Sequence, residues 1–150
     1  MADAARQWGR RALDFVDAVE RLSAPGVVGL FESEINACGF HAYIMAGIPQ
    51  SDTAFADVSL ANGWPREWFK VYTSENFVSV DPIPRYGAST VQPFGWAEAL
   101  YDKHSDPAAD LVMTRAAEFG LVDGYCIPLH YDEGGAANKR HDAWKNHGGF

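Results

Sequence analysis

The sequence predicts a layered α/β domain, with an antiparallel sheet lying between helices. Three observations predict it. Runs with helical periodicity and runs with strand alternation follow one another in the order helix, helix, strand, strand, helix, helix, strand. The chain is 47% hydrophobic and 13% aromatic, the composition of a globular protein rather than a disordered one. Its 150 residues suit one domain large enough to bury a core.

The elements follow in order. Leu13, Val16, Val19 and Leu22 form one stripe on a helix over 10–22. Ser23-Ala24-Pro25 interrupts it. Val27, Phe31, Ile35 and Cys38 mark a second helix over 25–38, closed by Gly39. Phe40 to Ile48 alternates and reads as a strand ending at Pro49. Ala54 to Leu60 alternates again and is expected to pair with it. Asn62-Gly63 turns the chain, and Pro65 opens a helix over 65–75. Residues 77–104 are rich in Pro and Gly and read as irregular. Ser105-Asp106-Pro107 starts a helix over 106–119, with Ala109, Val112, Met113, Ala116 and Phe119 on one stripe and Gly120 at its end. A last strand is expected near 124–131, with Pro128 removing a ladder bond. The sheet is expected to leave one edge or face exposed.

Charge and cysteine content exclude several classes. The net charge is −8, which argues against direct nucleic-acid binding, because phosphate recognition needs a basic face. Cys38 and Cys126 are too few for a disulfide framework and read as two buried thiols in a reducing compartment. The N-terminus lacks the apolar run of a signal peptide, and no stretch approaches transmembrane length. A cytoplasmic protein without membrane contact is expected.

The stretch from Gly63 to Trp96 carries the chemistry. Trp68 and Tyr72 are four apart and share a helix face. Asp81 precedes Pro82, which biases it to extended geometry. With Trp64, Ile83 and Trp96 the set offers two donors, one anionic acceptor and large apolar walls. Those groups suit a small amphipathic ligand with an amide and a carbonyl. Taken by themselves, aromatics at helical spacing with a capping aspartate favour a packed core over a ligand pocket.

The ordered motifs Trp68-x3-Tyr72, Asp81-Pro82, Pro93-Phe94-Gly95-Trp96 and Glu118-Phe119-Gly120-Leu121-x2-Gly124-x2-Ile127-Pro128 resemble the autoinducer-binding domain of LuxR-type quorum-sensing regulators. The resemblance covers roughly residues 10–135. It implies an α/β/α sandwich with a central antiparallel sheet, binding an N-acyl-homoserine lactone between sheet and helices. On matching positions it implies that Trp68 donates to the lactone carbonyl and that Asp81 accepts the ligand amide. Tyr72 would serve the acyl-carbonyl region, and Trp96 would pack on the lactone ring. Trp64 stands where the family often has tyrosine, so its ring is expected to reshape the pocket. Gly124 matches a family glycine at a strand start, where a side chain would crowd a neighbour.

Beyond Gly135 the sequence turns polar and basic and departs from the family pattern, which divides the chain into a ligand domain at 1–135 and an aberrant tail at 136–150. The expected reading is a truncated sensor without a helix-turn-helix domain. It would act as a homodimer, or as an anti-activator paired with a full-length relative. The competing readings are a lactonase or acylase acting on the same ligand, and an inactive remnant. Hydrolysis needs a metal-bound water or a nucleophile with its base. His130, His141 and His147 lack ligand spacing, and Cys126 with His130 lacks a third group. Lys139-Arg140 reads as a solvated tail. No metal, cofactor or catalytic residue is therefore expected.

Overall fold

The structure, a computed structural model, describes residues 2–50 and 52–129. It divides into two compact units, Met1–His41 and Ala42–Phe150.

The first unit is a pair of helices, α1 (Ala2–Val19) and α2 (Ala24–Ala37). Helix α1 starts well before residue 10. Alanines and glutamine favour the helix there, Asp3 suits its first turn, and an Asp3–Arg6 pair at 2.7 Å bridges one turn. Leu13, Val16 and Leu22 of the expected stripe are exposed. Pro25 lies in the first turn of α2, where its missing N–H costs nothing. Gly39, at φ 91°, closes α2: its N–H reaches the Asn36 carbonyl at 3.0 Å, and the Phe40 N–H reaches the Ile35 carbonyl at 3.0 Å. This is the paired closure that a left-handed glycine permits. Arg11 pairs with Glu34 across the two helices. Cys38 caps α2 and is exposed, which corrects the expectation of a buried thiol.

The second unit begins with β1 (Ile44–Ala46), paired antiparallel with β2 (Ser59–Asn62). Both strands are shorter than the alternation suggested. Residues 55–58 form a tight helical turn instead, which buries Phe55. The Gly63 N–H extends the ladder to the Tyr43 carbonyl at 2.9 Å, and a Cβ on Gly63 would overlap the Tyr43 ring.

Helix α3 (Arg66–Ser74) follows Pro65 and buries Trp68 and Tyr72. A short turn over 77–79 then leads into α4 (Pro82–Gly87), capped by Asp81. The density of Pro and Gly hid this helix. Yet Pro82 stands in its first turn, where proline is tolerated. Strand β3 (Phe94–Gly95) pairs with the later β4 (Tyr125–Cys126), with Phe94 opposite Cys126. Between them, α5 (Pro107–Glu118) starts at Asp106, whose side chain accepts the Ala109 N–H at 3.1 Å. Arg85 of α4 pairs with Asp106 at 2.6 Å. Gly120, at φ 81°, closes α5 as Gly39 closes α2, and Leu121 folds back onto Ala116 in the core.

The α/β class stands, but the strands form two separate two-stranded ladders, β1–β2 and β3–β4. Strand β4 stops before Pro128, and Tyr125, Ile127 and Leu129 present an exposed apolar row. The core joins Phe55, Trp68, Tyr72, Phe77, Val112, Ala116 and Leu121. Its helix α5 contribution follows the stripe read from the sequence. Residues 130–150, including His130, His141, His147 and the polar tail, lie outside the described residues.

Candidate ligand site

Helix α3 carries the first two groups. Trp68 and Tyr72 lie on its buried face, each only 2% exposed. Their rings meet edge to face at 5.5 Å. Asp81 reaches them from the N-terminus of α4. Pro82 holds Asp81 in extended geometry, at φ −64° and ψ 125°, which suits an N-cap residue. One carboxylate oxygen, Oδ1, accepts the Ile83 N–H at 2.8 Å. The other, Oδ2, accepts the Tyr72 hydroxyl at 2.8 Å. Ile83 thus joins the site through its backbone.

The electrostatics follow from burial. Loss of water pushes the Asp81 carboxyl above its ordinary value, against the opposing effects of the Ile83 N–H, the Tyr72 hydroxyl and the Arg85 charge. Burial also raises Tyr72, helped by the charge and the hydrogen bond of Asp81. Tyr72 is therefore a fixed donor at neutral pH. A carboxylate offers about four lone-pair positions, so Asp81 keeps acceptor capacity beyond these two bonds.

Trp68 presents a complementary donor. Its indole makes no hydrogen bond among the described residues, and no buried polar side-chain atom there lacks a partner. The small part of Trp68 left open therefore includes its N–H.

Trp64 stands edge to face with Tyr72 at 5.0 Å and lies 6.1 Å from Trp68. Trp96 packs on the same core cluster from β3's end. Its backbone N–H donates to the Gly124 carbonyl at 2.9 Å, and a Cβ on Gly124 would come 2.7 Å from the Trp96 ring. The neighbour that a side chain at 124 would crowd is therefore Trp96. Trp96 also borders a cavity of about 480 Å³ lined by Leu100, Tyr101, Met113 and Val122 among others. Trp68, Tyr72 and Asp81 do not line that cavity.

Several participants were not singled out in the sequence. Phe55 lies 4.9 Å from Tyr72, Phe77 5.9 Å from Trp68, and Phe119 5.6 Å from Trp68. Phe119 belonged to a recognised stripe. Phe55 sat in an alternating run assigned to a strand. Phe77 had no periodic signal.

The half-buried Cys126 thiol is pushed up by burial and by the Asp81 charge, away from the reactive thiolate. Among the described residues no group of three or more His, Cys, Asp or Glu could hold a metal, and no helix is long and apolar enough to cross a membrane.

Comparison with known proteins gives the family. The autoinducer binding domain model matches residues 23–138. The chain is 65% identical over 130 residues to the HTH-type quorum sensing-dependent transcriptional regulator RpaR of Rhodopseudomonas palustris, covering 87% of this chain and 54% of that protein. It is 37% identical over 124 residues to the transcriptional activator BjaR1 of Bradyrhizobium diazoefficiens, covering 82% and 51%. It is 26% identical over 89 residues to the transcriptional activator LuxR of Aliivibrio fischeri, covering 59% and 35%. The chain thus spans about half the length of the curated relatives that it matches over most of its own length. With a family model matching residues 23–138 and a relative 65% identical over 87% of its length, the chain belongs to the autoinducer-binding domain family of LuxR-type quorum-sensing regulators.

Proposed function

We propose that this domain is a non-enzymatic sensor for an N-acyl-homoserine lactone. The observation that carries the reading is the buried Asp81 carboxylate, held by the Tyr72 hydroxyl, with the Trp68 ring edge to face against Tyr72. An anionic acceptor and an indole donor that both pack on Tyr72 suit an amide N–H and a ring carbonyl in one small molecule. In this reading Asp81 accepts the ligand amide and Trp68 donates to the lactone carbonyl. Tyr72 serves the acyl carbonyl, Trp96 packs on the lactone ring, and Trp64 and Ile83 wall the acyl side. The ligand domain runs to about residue 135, and the protein works in the cytoplasm.

Isothermal calorimetry with a series of N-acyl-homoserine lactones, followed by mass spectrometry of the recovered ligand, tests this. Saturable binding with intact ligand supports the sensor. Hydrolysed ligand supports a lactonase or acylase instead.

The partner is a second copy or a longer LuxR-type relative. The 150 residues expressed as such would then lower the output of a co-expressed relative, because a two-fold operator needs two DNA-binding arms. Excess ligand relieves inhibition by sequestration and leaves inhibition by pairing in place. An unchanged reporter at every ligand level removes this regulatory role.

A further inference from the structure

A ligand held by Trp68, Tyr72 and Asp81 must touch them, yet protein already covers them. Trp68 and Tyr72 are each 2% exposed and Asp81 is 8% exposed. A cavity wide enough for an acyl amide would leave these side chains measurably open. Some covering group must therefore withdraw before a ligand can reach all three.

Four aromatic rings pack against Trp68 or Tyr72, and they differ in how they are held. Phe55 is buried in the 55–58 turn, and Phe77 is buried in the 77–79 turn. Phe119 caps α5, where the Gly120 closure fixes the chain. Trp64 belongs to neither β2 nor α3 but to the link between them. It is half-buried, and its indole makes no hydrogen bond among the described residues. Its ring rests on Tyr72 at 5.0 Å and stacks beside Phe55 at 6.2 Å. Its backbone N–H is tethered to the Asn62 side chain at 2.9 Å. The main chain can therefore stay in place while the side chain rotates between staggered positions.

We infer that Trp64 is a gate on the ligand site: its indole plugs the space beside Tyr72, swings toward solvent to admit the ligand, and limits the acyl group that fits. The inference rests on the sensor reading for its ligand but not for its motion. In the plugged state Trp64 covers the Tyr72 ring. In the open state the acyl group takes the place of the indole against Phe55 and Tyr72. A smaller residue at 64 leaves permanent room there, so it relaxes the upper limit on acyl size. An open fraction of about one tenth lowers apparent affinity about tenfold relative to an ungated site.

Fluorine NMR of the whole chain labelled with fluorotryptophan tests the motion without any ligand. Five signals are assigned by single Trp→Phe replacements. Saturation transfer is expected to reveal a minor state at Trp64 and none at Trp68. Stopped-flow association with N-butanoyl-, N-octanoyl- and N-dodecanoyl-homoserine lactone tests the consequence. Trp64→Ala is expected to bind the octanoyl compound about tenfold faster and to gain most for the dodecanoyl compound. Trp64→Phe, which keeps more packing, should show a smaller change in the same direction. A single sharp Trp64 signal without exchange, with association no faster in either variant, overturns the gate. If the wild-type chain binds no lactone, the ligand assignment falls, and the fluorine spectrum still decides whether Trp64 moves.

Discussion

The Tyr72 hydroxyl donates to Asp81 Oδ2 at 2.8 Å, and this bond ties the buried face of α3 to the first turn of α4. The second carboxylate oxygen caps α4 through the Ile83 N–H. Asp81 therefore holds two elements together with the same group that is proposed to receive the ligand. Experiments on it must separate the structural job from the recognition job.

Asp81→Asn makes that separation. Asparagine keeps the size and one carbonyl, so it can still cap Ile83 or accept from Tyr72. It loses the charge. Lactone affinity is expected to fall by about 1.5–3 kcal/mol, the range for a hydrogen bond to a charged group. Calorimetry showing unchanged affinity would end the assignment of the amide to Asp81. Asp81→Ala should instead unfold more easily, because it removes a cap worth about 1 kcal/mol and strands the Tyr72 hydroxyl.

The pH dependence should carry opposite signatures from two capping aspartates. Folding raises the Asp81 pKa, so the folded chain holds that proton where the unfolded chain has lost it. Its contribution is complete below the ordinary carboxylate range, about pH 4, and is lost as pH rises through the folded value. Asp106 behaves the other way: its bond to Arg85 and then the Ala109 N–H lower its pKa. Its contribution is present above that range and is lost as pH falls. Denaturant titrations from pH 4 to 7 should show Asp81→Asn gaining on the wild type as pH rises. Asp106→Asn should lose ground at lower pH, as pH rises toward about 4 in titrations extended below that value, and stay level above it. Parallel curves for both variants would contradict these shifts.

Much of this was legible in the sequence, for identifiable reasons. Helix α5 announced itself because Ala109, Val112 and Ala116 repeat at helical spacing and all are buried. Trp68 and Tyr72 were paired correctly by the same spacing, and Pro82 fixed the backbone of Asp81. The strands were overcalled because alternation cannot distinguish a strand from a tight turn with one buried side chain, as at Phe55. Helix α4 was missed because prolines at its start look like a loop unless their first-turn position is recognised. The Tyr72–Asp81 bond was beyond reach. Residues nine apart meet only once the 77–79 turn reverses the chain.

Trp68→Phe should discriminate ligand recognition from packing. Phenylalanine retains most of the apolar wall against Tyr72, Phe77 and Phe119 but deletes the N–H. The expected result is a larger loss of lactone affinity than of fold stability. Deleting one hydrogen-bond donor is worth about 0.5–1.5 kcal/mol, or more where a partner is left unpaired. Retained binding with an equal fall in Tm with and without lactone would make Trp68 a core residue and nothing more.

Gly124 and Trp96 should behave as one unit. The φ of Gly124 is not in the left-handed region, so its requirement is for space and not for conformational freedom. A Cβ there would stand 2.7 Å from Trp96 Cε2 and 2.9 Å from its Nε1. The two main chains cannot simply separate to make room, because the backbone N–H of Trp96 is bonded to the Gly124 carbonyl at 2.9 Å. Gly124→Ala is therefore expected to destabilise the fold by about 1–3 kcal/mol, as overpacking does. Trp96→Ala removes the obstacle, so the double variant should be more stable than the sum of the single losses predicts. A coupling of about 0.5–3 kcal/mol is expected for residues in contact. Gly120→Ala supplies the control. Gly120 has φ 81° and open space around its Cβ position, so its cost is backbone strain that Trp96→Ala cannot relieve. Additive losses for Gly124 with Trp96, measured by denaturant unfolding, would show that Gly124 does not set the position of the Trp96 ring.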